Sequence, residues 1–460
     1  MTVNSFSPDD DDGISACCPS PAVLEDIRRA IKNSHALSAA DVRLAARMGL
    51  LGAAVERPVG LNDGVFYPPS RARANAATAA HPLRAAQLAQ TVARQPRKLH
   101  AVAFLVDFSD NVGVRPVADF QRLLFDRDNP DSLANYYRDI SCGMLDMTGE
   151  VIDWIRAPLP YWEYTAGMSG LGGMTTFLLI DVLTEYCKTD NLKRFDVDGV
   201  GYAEGVFLIH AGGGAESEPD ATKRGNMIQS HKGVLRQYFA HQGVEVYAYS
   251  TEPEDGKLGV FAHEFGHVLG LPDLYDNSHR TSGVGTWCLM GHGTWAGGGD
   301  KPTRMSCWCL SRLGWIEPVE AESANYLLEP LTMNPKHCLR VWTDGQPGVR
   351  YFLLENRQAT GRDSALPGSG LAVWRVNEYQ DGNTNPNAYM VGLEQADGAR
   401  ELEQGKNLGN AGDVFPGPLG RTKFNALTQP SSHGHDGAPT GISLSRIAVI
   451  DGKVTVTVKR

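Results

Sequence analysis

Eleven residues in the middle of the chain, His263 to Asp273, read HEFGHVLGLPD and constrain the fold around them more than any other stretch. Residues four apart on a helix share a face. A helix here therefore points His263 and His267 at one position, with Glu264 standing beside it. Two imidazoles and an adjacent carboxylate at this spacing suit a zinc ion and the water it activates. Gly270 falls just past the last helical turn, where a glycine takes the left-handed conformation that reverses the chain. Pro272 keeps the helix from resuming, and Asp273 is turned back toward the metal as a third ligand. A glutamate on a later helix is the other source of such a ligand, but none occurs between His267 and Glu317. Asp276, His279 and His292 compete with Asp273 in the same loop, and Asp276 reads more naturally as a group that orients a ligand.

A second signal is Gly285 to Trp295, GTWCLMGHGTW. A methionine in a tight turn downstream of an extended zinc motif is the metzincin signature, its side chain lying beneath the metal. Met290 fits that role, and Gly291 and Gly293 favour the turn.

Beyond these motifs stand LVDFSDN (Leu105 to Asn111), SLANYYRDIS (Ser132 to Ser141), IHAGGGAE (Ile209 to Glu216), GVFAHEFGHVLGLPDLYD (Gly259 to Asp276), YFLLENRQ (Tyr351 to Gln358) and LPGSGLAVWRVNE (Leu366 to Glu378). On these residues, from about residue 18 onward, the chain resembles the immune inhibitor A family of secreted bacterial zinc metallopeptidases. The family has a histidine where this chain has Arg375. The resemblance implies an α+β fold: a metzincin-like zinc-protease catalytic domain with an N-terminal helical pro-segment and a C-terminal antiparallel β-sandwich domain. The expected divisions are 1–98, pro-segment and basic linker; 99–320, catalytic domain; and 321–460, the β-sandwich. The turn Gly412 to Gly417, GDVFPG, recurs in the family.

The chain has 460 residues, more than one core accommodates, and 42% are hydrophobic. A net charge of -10 argues against nucleic acid as a partner, because phosphate binding needs a clustered basic surface. No apolar run is long enough to span a bilayer. The acidic start, MTVNSFSPDDDDG, lacks the basic and apolar regions of a secretory signal, whereas the resemblance implies an extracellular location. The eight cysteines are scattered. Cys307 and Cys309 form C-x-C rather than C-x-x-C, so core thiols are expected there rather than a zinc knuckle.

Along the chain, Asp9 to Asp12 read as a solvated tip. Ser20 and Pro21 cap and start a helix with Leu24, Ile27 and Ile31 on one face, and a second helix starts at Ser38. Gly64 to Val106 contains no acidic residue but has six arginines and lysines, which suits a linker that proteases cut. Cys18, stiffened by Pro19 and Pro21, is expected to act as a latency switch by placing its thiolate on the open zinc position. His100 to Phe108, Leu145 to Ile155 and Val206 to His210 read as strands. Val117 to Phe125, Ser132 to Ile140 and Met174 to Thr189 read as helices, the last burying Phe177, Ile180, Leu183 and Cys187. Val244 to Ser250 reads as an edge strand able to pair with an extended peptide. Asp196 to Val200 has part of a calcium loop, with Val200 where an oxygen ligand belongs, so Ca2+ is a secondary expectation beside one catalytic Zn2+. After Trp315, short alternating segments separated by turns indicate an antiparallel β region.

These readings converge on a zinc endopeptidase made as a latent precursor and acting on protein or peptide substrates, with Glu264 as the proton acceptor. A zinc hydrolase of a non-peptide or cell-wall amide is the alternative enzyme, and an inactive surface-binding protein the alternative outside enzymes. The oligomeric state is left open.

Overall fold

The computed structural model describes residues 17–32, 96–199, 201–434 and 436–460. The acidic tip, the helix expected from Ser38 and the connector as far as Gln95 lie outside the described residues, as does Val200.

The first sheet is built from β1 (Arg97–Asp107), β2 (Leu145–Arg156), β3 (Val206–His210), β4 (His231–His241) and β5 (Val244–Pro253), in the order β2-β1-β3-β5-β4. β1, β2, β3 and β5 are parallel, and β4 runs antiparallel at the edge. Parallel strands are covered on both faces, and the continuous apolar run of β1 meets that demand. Ala101, Ala103 and Leu105 pack with Phe207 and Ile209 against the helices Val117–Leu124, Leu133–Ile140 and Leu258–Val268. Val102, Phe104 and Val106 face the other way, toward the helix Met174–Tyr186.

Two expectations change here. Val244 to Ser250 is not an edge strand, because β5 lies between β3 and β4. Its polar positions Ser250 and Glu252 are fully buried, so the alternation in its sequence does not mark a solvent face. β4 is the edge. The helix Met174–Tyr186 buries Leu178, Leu179, Val182, Leu183 and Tyr186, while Phe177 is 44% exposed and Ile180 and Cys187 are half-buried. This helix is apolar on most sides, so its spacing alone does not select the buried face.

The chain from 319 onward forms two further sheets. β6 (Val319–Glu320), β8 (Cys338–Trp342), β9 (Arg350–Arg357), β10 (Gly370–Asn377) and β11 (Val391–Leu393) are ordered β11-β10-β9-β8-β6; β7 (Ala324–Leu328), β12 (Ser443–Ile450) and β13 (Lys453–Lys459) are ordered β12-β13-β7. In β9 the two-residue period of a strand sends Tyr351 and Leu353 into the core shared with the zinc-motif helix, and Phe352 and Leu354 into a core shared with β7, β12 and β13. The first of these cores is continuous from β1 to β10. Among the described residues the architecture is mixed α/β with three sheets, and no described helix is long and apolar enough to cross a membrane.

Candidate active site

The helix Leu258–Val268 is buried at every residue. Phe265 packs on Tyr137 and Phe207, with ring centroids 5.1 and 5.4 Å apart. Two glycines allow the close approaches that set its position. A Cβ on Gly259 would lie 1.9 Å from the Thr294 carbonyl oxygen, and one on Gly266 would lie 2.6 Å from Met290 Sδ. Met290 therefore sits beneath the helix, against the turn that separates His263 from His267. Gly270 has φ of +111°, and beyond it the chain folds back so that the Leu274 N–H donates to the Met290 carbonyl at 2.7 Å.

That return brings Asp273 to the histidines. His263 Nε2 is 3.2 Å from Asp273 Oδ1, His267 Nε2 is 3.1 Å from the same oxygen, and the two Nε2 atoms are 3.1 Å apart. Each ring has its other nitrogen placed to donate to a carbonyl: His263 Nδ1 to Leu289 at 2.9 Å, with Thr294 Oγ1 at 3.0 Å, and His267 Nδ1 to Leu271 at 2.6 Å. These donations fix the tautomers and leave two nitrogen lone pairs and a carboxylate oxygen converging, fully buried, on one point. Such a convergence is repulsive unless a positive charge, a metal ion or a proton shared between His263 Nε2 and Asp273, sits at its centre. A tetrahedral ion with arms of ~2.0 Å has ligand–ligand edges of about 3.3 Å, so the donor set fits one.

Glu264 is also fully buried, and neither of its oxygens accepts a well-formed hydrogen bond. Burial pushes its carboxyl up to about 8, with His263 opposing the shift and Asp273 adding to it. Asp273 moves the other way. Its burial is outweighed by His267 and His263, which hold it well below the usual carboxylate range.

Residues 17–20 reach this site. The Cys17 N–H donates to the Ser230 carbonyl and the Ser20 N–H to that of Glu216, both at 2.8 Å. Gln229 Nε2 and Trp295 Nε1 donate to the Cys17 and Cys18 carbonyls, both at 3.0 Å. The Cys17 sulfur, a His263 nitrogen and a Glu264 oxygen lie within 4.8 Å of one another. The Cys18 thiol, expected at the metal position, donates to the Gly291 carbonyl at 3.6 Å. The two thiols also contact one another and Cys18 lies beside His292, so both members of the pair sit next to the site, with Cys17 the one grouped with Glu264.

The competing ligands do not share this donor set. Asp276 accepts the Ser278 and Thr281 N–H groups at 2.8 and 2.9 Å, which shapes its own loop. The donor groupings among the described residues that could hold a cation include neither His279 nor His292. In the expected calcium loop, Asp196 accepts the Gly201 N–H at 3.1 Å and closes a turn.

Sequence reasoning missed several supporting residues, and each lies in a motif it had singled out. Arg357, at the end of YFLLENRQ, donates to the Trp287 carbonyl at 2.7 Å while pairing with Asp363 at 2.9 Å. Asp413, in GDVFPG, accepts the Trp287 indole N–H at 2.8 Å. Glu216, in IHAGGGAE, accepts from Ser230 Oγ at 2.7 Å on the rim that holds Cys17. Arg375 ties β10 to Glu394 and to the Ser431 carbonyl, the latter at 2.8 Å.

A buried His-His-Asp donor set with an unengaged glutamate beside it, on a helix under a mixed sheet, defines the class of site used by metallopeptidases. Residues 117–313 match the family model of the immune inhibitor A peptidase M6 catalytic domain. Immune inhibitor A of Bacillus thuringiensis subsp. alesti is 31% identical over 212 residues, which are 38% of this chain and 31% of that protein. The pre-pro-metalloprotease PrtV of Vibrio cholerae serotype O1 (strain M66-2) is 26% identical over 270 residues, 46% of this chain and 29% of that one. The chain thus spans about a third of the length of the curated relatives it matches.

Proposed function

We propose that this chain is a zinc-dependent endopeptidase of protein substrates, made as a latent precursor. The observation that carries the reading is the convergence of two tautomer-fixed imidazoles and a carboxylate beside the unengaged Glu264. Zinc held by His263, His267 and Asp273 would supply Lewis acidity and a nucleophile competent near neutral pH. Glu264 takes the proton of the attacking water and passes it to the leaving amine. Its burial raises its proton affinity, which suits both transfers. Leu289 and Thr294 orient His263, and Met290 fills the space under Gly266.

Latency follows from the occupied cleft. Cys17 to Ser20 hydrogen-bond to the rim residues Glu216 and Ser230, next to the start of the edge strand β4, which an extended substrate would use. The Cys17 thiol fills the space beside Glu264. Release then needs a cut in the acid-free connector. On this reading residues 1–98 are a pro-segment and linker, 99–320 the catalytic domain and 321–460 a β-sandwich-like domain. The core shared by the sheets of β9 and β13 supports that last assignment. An extracellular site of action and a precursor form accord with the pre-pro-metalloprotease named among the relatives.

Hydrolysis of denatured casein by the processed chain tests the reading. Chelation should abolish activity and zinc should restore it. Undiminished hydrolysis in chelator would reject the metal-dependent mechanism.

A further inference from the structure

Arg28, on the helix Pro21–Lys32, is lodged in a cup built from a distant part of the chain. Its Nε donates to the His279 carbonyl at 3.0 Å, and its Nη2 donates to the Thr281 carbonyl at 2.7 Å and to Ser282 Oγ at 3.1 Å. Asp276, almost fully buried, adds negative charge beside these acceptors. Gly405 closes one side: a Cβ there would lie 3.3 Å from Arg28 Cζ.

The cup is held by bonds that do not involve Arg28. The His279 N–H donates to the Asp276 carbonyl and the Ser282 N–H to that of Leu402, both at 2.8 Å, and Ser282 Oγ donates to the Asn407 carbonyl at 2.5 Å. His279 is held at φ of +55°, a conformation uncommon for a residue with a side chain. Its buried ring has no hydrogen-bond partner on either nitrogen. The acceptors therefore do not depend on Arg28 for their place, and a buried carbonyl left without a donor is costly. Three acceptors spread along one edge match the planar fork of a guanidinium and not the point charge of an ammonium.

The cup is close to the chemistry. The Tyr275 ring lies 6.0 Å from that of His263 and 6.4 Å from that of His279, centroid to centroid.

We propose that this cup is a guanidinium subsite of the substrate cleft. Arg28 fills it in the latent chain, and an arginine of the peptide substrate fills it once the N-terminal segment has left. The ring contacts through Tyr275 put the cup within reach of an arginine a few residues from the scissile bond. The role in substrate choice rests on the latency reading above.

Two measurements separate the parts. In full-length Arg28→Ala the melting temperature should fall by several degrees and be restored by millimolar ethylguanidinium, but not by ethylammonium at equal ionic strength. If Arg28→Ala does not fold, Arg28→Lys serves in its place with the same expected rescue. Equal effects of the two cations, or no effect of either, would reject the cup. Next, the chain nicked in its connector should cleave a peptide library with at least tenfold enrichment of arginine at one fixed position away from the cut. Successful rescue without that enrichment would reject the role in substrate choice. Equal casein hydrolysis by nicked and intact chains would reject the latency reading itself.

Discussion

Asp273 and Asp276 are three residues apart and both buried, yet they do different things. Asp273 Oδ1 faces both Nε2 atoms, whereas Asp276 holds its own loop through Ser278 and Thr281. Asp273→Ala should therefore weaken zinc binding by more than the ~10–100-fold typical of losing an outer-shell partner, and Asp276→Ala by no more than that. Competitive titration against a zinc chelator reads both, and equal losses would undo the ligand assignment. Gly266→Ala would drive a methyl into Met290 Sδ, 2.6 Å away, so we expect a destabilisation of ~1–3 kcal/mol in denaturant unfolding. Wild-type stability would show that Met290 is not fixed there. The thiols differ in the same way: Cys17→Ala should raise the activity of the unprocessed chain more than Cys18→Ala, since the Cys17 thiol is the one grouped with His263 and Glu264. At this scale the sequence was most legible where spacing on a helix decides direction, as for His263, Glu264 and His267. It was least legible for Cys17 and Cys18, whose places depend on the docking of the chain to Ser230 and Glu216.

Among the elements, the rim formed by Glu216, Gln229 and Ser230 is where docking and acidity meet. Burial pushes the Glu216 carboxyl up to about 7 against the hydrogen bonds from Ser230. A raised pKa means the folded chain binds this proton more tightly than the unfolded chain does. Its contribution is fully present below about 4.5, the unfolded value, and is lost as pH rises through about 7. The loss is on the order of 3 kcal/mol at pH 8. Glu216→Gln, which cannot ionise, should flatten the decline of stability between pH 5 and pH 8 in denaturant melts, and an unchanged decline would show that Glu216 is not its source. β1 and β3 were readable from their apolar runs, but β4 was not read as a strand at all. The alternation in Val244 to Ser250 imitates a half-exposed strand, and only the pairing of β5 with both β3 and β4 shows that Ser250 is interior.

In the whole molecule, the boundary near residue 320 separates sequence patterns more than it separates cores. Leu353 and Trp374 share one core with Phe265 and Met290, and Arg357 and Asp413 grip Trp287, three residues before Met290. A chain ended at residue 320 should therefore fail to give a cooperative unfolding transition, and a stable, zinc-binding fragment would contradict this. The break in pattern after Trp315 located the β region, but a sequence does not reveal which strand face the catalytic segment will cover. The account as a whole stands on Glu264 as the proton carrier beside a His263, His267 and Asp273 metal site. In the processed chain, Glu264→Gln keeps the size and hydrogen-bonding shape of the side chain but not its basicity. Zinc content and casein hydrolysis measured together on that variant are the most direct test. We predict one zinc per chain with turnover reduced by several orders of magnitude; zinc retained with hydrolysis near the wild-type rate would contradict the mechanism.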